Sequence, residues 1–133
     1  MLLELWGAGK LEVADELYAP TYVDHVSRGP ESGWVMGPQG IKQAVTLFRS
    51  TFPDLHYTVH EGIAQGDLVM TRFSARGTQK GQFLGVAPTG RDVRYTGMDL
   101  NRIADGKIVE FWVNYDALAL QQQIGLVPPV KGL

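Results

Sequence analysis

The segment Gly77-Thr78-Gln79-Lys80-Gly81-Gln82-Phe83-Leu84-Gly85-Val86-Ala87-Pro88-Thr89-Gly90-Arg91 joins two β-patterned runs, Leu68 to Ala75 and Asp92 to Ile103. Gly and Pro at these spacings mark backbone that must bend sharply or adopt positive φ. The segment reads as the end of a long strand, a turn, a short strand and a tight Pro-Thr-Gly turn. The flanking runs are expected to pair as neighbours in one curved antiparallel sheet.

The rest of the chain fits around that unit. Residues 2 to 18 carry apolar side chains at helical spacing on both sides of Gly7-Ala8-Gly9, which predicts a helix in two pieces. Tyr22 to Val26 reads as a short extended segment, and residues 27 to 37 as a Gly-, Ser- and Pro-rich loop. Pro38 suits a first helical turn, Ile41, Ala44, Val45, Phe48 and Phe52 form an apolar stripe, and Pro53 ends the helix. Leu55, Tyr57 and Val59 then alternate with polar residues. Gln65-Gly66-Asp67 marks a turn, and Ala104-Asp105-Gly106 a hairpin before a last strand, Ile108 to Tyr115. A short helix follows from Asp116. Helices first and antiparallel strands after give an α+β layout, with helices on one face of the sheet.

Taken with Phe52-Pro53-Asp54-Leu55 upstream and Asp105-Gly106-Lys107-Ile108-Val109-Glu110-Phe111-Trp112 downstream, the central segment resembles the SnoaL-like polyketide cyclase family. That family belongs to the nuclear transport factor 2-like superfamily of cone-shaped α+β folds. The resemblance runs from Leu11 to Val127. It implies a cone-shaped curved sheet packed against N-terminal helices, with a cavity between the layers, and one domain over residues 1–133. The family carries a long first helix, so here that helix is short or part of the chain lies upstream.

Composition excludes several classes. There is no cysteine, hence no disulfide framework, thiolate metal site or cysteine nucleophile. The net charge of −2, without a Lys/Arg cluster, argues against nucleic-acid binding, which needs cations to neutralise phosphates. No apolar run is long enough to span a bilayer, and no secretory leader is visible. No membrane partner and a cytoplasmic location are expected.

Three histidines are present. His56 and His60 sit four apart on a predicted strand, a span of roughly 13 Å, too long for one metal ion. They read as part of a polar outer face, and no metal site is expected. His25 lies just before the Gly/Pro-rich loop. The resemblance implies a histidine near the cavity mouth, while a structural histidine is the alternative reading. Asp24 is its neighbour, but adjacent residues on an extended segment point to opposite faces.

On the strand after the central segment, Tyr95, Gly97, Asp99 and Asn101 share one face. An Asp there runs against β propensity, and such local misfits tend to mark functional sites. The resemblance implies an acid/base residue three positions before the Arg that precedes the Asp-Gly-Lys turn, which is Asp99. A solvated outer face is the alternative, and a cross-strand pair with Arg72 would make both structural. On the last strand Phe111, Val113 and Tyr115 share a face, opposite Ile108, Glu110 and Trp112. In cyclases of the resembled family the residue after the Trp is a catalytic Asp, and a His often precedes the Trp. Here these positions hold Val113 and Phe111, and an aliphatic side chain cannot move a proton. Asp116 reads as the N-cap of the final helix.

These readings lead to a cofactor-independent enzyme of polyketide cyclase type acting on a small hydrophobic carbonyl compound. Asp99 and His25 are the expected catalytic residues. Trp34, Phe48, Phe52, Arg72, Tyr95, Asn101, Phe111, Val113 and Tyr115 are the expected substrate-binding residues. Residues 27 to 37, with Trp34, read as a flap over the cavity mouth. A non-catalytic binding protein, or a hydrolase or isomerase of the same superfamily, is the alternative. The resemblance also implies a homodimer, and the exposed sheet face around Trp112 and Ile108 would supply the contact.

Overall fold

The computed structural model describes residues 2–25 and 37–128. A π-helical turn, Leu2–Gly7, and α1, Val13–Leu17, form the broken N-terminal helix. Arg49 bridges the break, donating through Nη1 to the carbonyl oxygens of Trp6 and Gly7. β1 spans Tyr18–Asp24, α2 Pro38–Thr51, β2 His56–Gln65, β3 Leu68–Thr78, β4 Asp92–Ala104, β5 Lys107–Tyr115 and α3 Ala117–Gln123.

The five strands form one sheet in the order β1-β5-β4-β3-β2. β2 to β5 make an antiparallel meander, tightened at Asp105-Gly106, where both φ angles are positive (51° and 74°) as a two-residue hairpin requires. The sheet departs from the all-antiparallel expectation at one pair. β1 runs parallel to β5 and covers its otherwise free edge.

Three register shifts interrupt the sheet, the first at Val59/Glu61, the second at Arg102/Ile103 and the third at Tyr18/Val23. The second has a local consequence. Val109 is the extra residue, so alternation breaks and Ile108 turns inward, buried against Leu5, Tyr18 and Ile41. The expected outer-face position of Ile108 is therefore corrected.

The helices lie on the concave face over two apolar clusters. One joins Phe52, Tyr57, Phe73, Val93 and Tyr95 to Leu120 and Ile124 around α3. The other joins Leu5, Ala14, Tyr18, Tyr22 and Val45 to Ile108. Gly97 lets the rings close over β4, because a Cβ there would stand 2.6 Å from the Phe73 ring. No helix of the described residues is long and apolar enough to cross a membrane.

Candidate active site

A cavity of about 450 Å³ opens between the sheet and α2, and its wall draws on both clusters. Strand alternation puts Asp99 into it. Tyr95, Gly97, Asp99 and Asn101 are all buried on the inner face of β4, and Asp99 is 3% exposed. Asn101 Nδ2 donates to Asp99 Oδ1 at 3.0 Å. Thr71 stands directly opposite on β3 and also acts to lower the carboxyl's pKa. Among the described residues, no Lys, Arg or His is ion-paired with it. Burial pushes the Asp99 carboxyl up to about 6, against the opposing pull of Thr71 and Asn101. Such a group exchanges protons near neutral pH.

The cavity is also a tyrosine chamber. All five tyrosines of the chain line it. Tyr57 and Tyr95 bond hydroxyl to hydroxyl at 3.2 Å. Tyr18 packs edge-on against Tyr22, with ring centroids 4.7 Å apart. Burial raises the phenol pKa throughout and pushes Tyr57 up to about 12, so the hydroxyls remain protonated donors at neutral pH. Phe48, Phe73, Phe83, Phe111 and Val113 supply the apolar wall. Leu47 and Leu84 are more than half exposed and form the outer lip.

Of the residues expected from sequence, Asp99, Phe48, Tyr95, Phe111, Val113 and Tyr115 line the cavity. Asn101 sits beside it, its amide engaged by Asp99. Three positions are corrected. Phe52 is fully buried in the core rather than on the cavity wall, because its ring packs against those of Phe48 and Phe83, which line the cavity in its place. Arg72 stands opposite Met98 on the outer face and pairs with Glu61 at 2.7 Å, not with Asp99. His25 also lies on the outer side, stacked on Trp112 at 4.7 Å and bonded to Glu110 at 2.8 Å. Its neighbour Asp24 takes the cavity side, as alternation along an extended segment demands. Trp34 and, apart from Gly37, the flap over residues 27 to 37 lie outside the described residues.

Tyr18, Tyr22 and Asp24 were not singled out from sequence as site residues. The alternation at Asp24-His25 held the signal, but not which of the two faced inward. His56 and His60 are exposed on β2, with His60 bonded to Ser74 at 2.9 Å. The described residues hold no group of three or more His, Asp or Glu side chains able to bind a metal ion.

The family model for SnoaL-like polyketide cyclase matches residues 1–124. Solved structures agree in fold. TsrD from Streptomyces laurentii is 27% identical with a TM-score of 0.84, covering 94% of this chain and 90% of its own. IdmH from Streptomyces antibioticus, described as a candidate polyketide cyclase, is 36% identical with a TM-score of 0.77, covering 93% of each chain. AclR from Streptomyces galilaeus, described as a candidate hydroxylase, is 26% identical with a TM-score of 0.81, covering 97% of this chain and 79% of its own. A search of curated protein sequences returns no match.

Proposed function

The chain belongs to the SnoaL-like polyketide cyclase family, and on that premise we propose that it is a cofactor-independent acid/base enzyme. Its substrate would be a small hydrophobic carbonyl compound, and its chemistry proton transfer next to the carbonyl, as in aldol-type ring closure. The observation that carries this reading is Asp99, buried in an aromatic cavity with no described Lys, Arg or His paired to it and shifted to about 6. A general base works best with a pKa near the operating pH. It would take a proton from the carbon beside the carbonyl and return it after the bond rearranges.

Val113 bears on the same point. The resemblance implies a catalytic Asp at its position. Val113 lines the cavity directly across the β4–β5 ladder from Asp99. Of the two carboxylates that the resemblance implies, this chain keeps Asp99 and carries Val113 in place of the other, on the same wall. The second reading, a binding protein without catalysis, draws on Val113 and Phe111, which fill with apolar groups the places where the family implies Asp and His.

β-Tetralone separates the two readings. It is a bicyclic ketone with acidic C–H bonds beside its carbonyl and is small enough for the cavity. Exchange of those protons with deuterated solvent, followed by NMR, should be accelerated by the protein. Asp99→Asn should lower the rate on the order of 100-fold with little change in binding. Binding without accelerated exchange would favour the binding protein.

The reading extends to a homodimer. On the outer face, Ile63, Met70, Leu100 and Trp112 form one cross-strand row over four strands. Ile63 is 54% exposed, and Met98 beside the row is 48% exposed. A contiguous apolar row of this kind suits a contact with a second copy. The lack of cysteine suits the reducing cytoplasm.

A further inference from the structure

We propose that the Tyr22 hydroxyl is the hydrogen-bond donor that holds the ligand's carbonyl oxygen beside Asp99, and that the ligand is a neutral ketone or aldehyde. The inference rests on the cavity reading above. Tyr22 lies on the inner side of β1, is 2% exposed and lines the cavity. Its hydroxyl has no hydrogen-bond partner among the described residues. Buried polar groups are rarely left so, because the desolvation penalty goes unmet. Among the tyrosines with described side chains, Tyr22 is the one whose hydroxyl is buried with no partner; Tyr57 and Tyr95 bond each other, and Tyr115 is 39% exposed.

The surroundings fix what Tyr22 can bind. Burial, Tyr18 and the carboxylates Asp24 and Asp99 all raise its pKa, so it keeps its proton and acts as a donor. Asp99 lines the cavity and, when ionised, would repel an anionic ligand group. A neutral carbonyl oxygen suits both conditions. It accepts from Tyr22 while the adjoining C–H faces Asp99. When that C–H bond breaks, the proton passes to the Asp99 carboxylate. The electron pair moves into the new C=C bond and the carbonyl pair onto oxygen, where the Tyr22 O–H stabilises the enolate. Return of the proton, or attack of the enolate carbon on a second carbonyl, completes the cycle. Donors aimed at developing oxyanion charge are among the strongest contributions to catalysis.

The test uses β-tetralone carrying an isotopic label in its carbonyl, with infrared spectroscopy and a binding titration. In the wild-type protein the bound carbonyl should absorb at lower frequency than in an apolar solvent, as a hydrogen-bonded carbonyl does. Tyr22→Phe should return the frequency toward the apolar-solvent value and weaken binding by about tenfold. Asp116→Asn, at the exposed N-cap of α3, should change neither. Tyr22→Phe removes an oxygen with no partner among the described residues, so its melting temperature should equal or exceed the wild type. A large fall would mean that the hydroxyl is bonded within the protein, and would overturn the proposal. So would a bound carbonyl frequency that ignores Tyr22→Phe; Asp99-dependent exchange would then still stand. A bound carboxylate analogue, tetralin carboxylate, tighter than the ketone would refute the neutral-ligand assignment. No binding of the ketone to the wild type would reject this inference and the cavity reading together.

Discussion

Asp99 and Val113 stand directly opposite each other across the β4–β5 ladder, both on the cavity wall. Cβ atoms in such a pair lie roughly 4.5–5.5 Å apart. Val113→Asp would therefore set two carboxyls side by side. One of the pair must then hold its proton to higher pH, because like charges cannot both ionise cheaply. The pH profile of β-tetralone exchange should shift its lower limb upward by about one unit or more. The variant should also lose about 1–3 kcal/mol of stability at neutral pH, and less under acid conditions. An unshifted profile in a folded variant would show that the two side chains do not share the cavity.

Asp99 should also leave a mark on stability. Its folded pKa of about 6 exceeds the ordinary 3.8, so the folded state binds the proton more tightly than the unfolded chain. The contribution is fully present below pH 4 and is lost as pH rises through about 6. Two units of difference correspond to at most about 3 kcal/mol. Asp99→Asn carries no such titration. The variant should therefore gain on the wild type from pH 4 to 7 and be the more stable above it. Urea unfolding of both proteins at several pH values checks this. A constant difference would show that Asp99 titrates normally.

The fold was legible because its signals are local. Pro38 and Pro53 bracket α2, Asp105-Gly106 closes the β4–β5 hairpin, and period-two alternation assigned Asp99 and Tyr95 to one face. The failures arose where local pattern does not determine three-dimensional neighbours. A bulge at Val109 inverts the facing of Ile108, which strict alternation cannot foresee. His25 and Asp24 were correctly read as facing apart. Which of them faced the cavity depended on the parallel docking of β1 on β5, a long-range pairing with no sequence signature. Tyr22 was missed for the same reason: its orphaned hydroxyl exists only once β1 is in the sheet.

Asp116 offers a contrast with Asp99. It is exposed, and its Oδ1 accepts from the Ala119 backbone N–H at 2.9 Å, the N-cap geometry of α3. Asp116→Asn should change stability by a few tenths of a kcal/mol, whereas Asp116→Ala should cost about 1 kcal/mol. Neither should alter exchange of β-tetralone. A large loss of exchange in Asp116→Asn, with a normal melting temperature, would move the chemistry to the end of β5.

The outer face gives the last prediction. Leu100 lies inside the cross-strand row, between Met70 on β3 and Trp112 on β5, and the His25 ring extends that row by stacking on Trp112. If a second copy covers this face, a two-fold interface repeats every substitution on both sides. Leu100→Glu would then introduce two charges into one apolar contact, each costly to bury without a partner. Its side chain points away from the cavity, so Asp99 and the tyrosines should be undisturbed. Light scattering at micromolar concentration should give twice the chain mass for the wild type and the single chain mass for Leu100→Glu. A wild type that runs as a monomer would show that the row is only a solvated sheet face. A variant that stays dimeric would put the contact elsewhere.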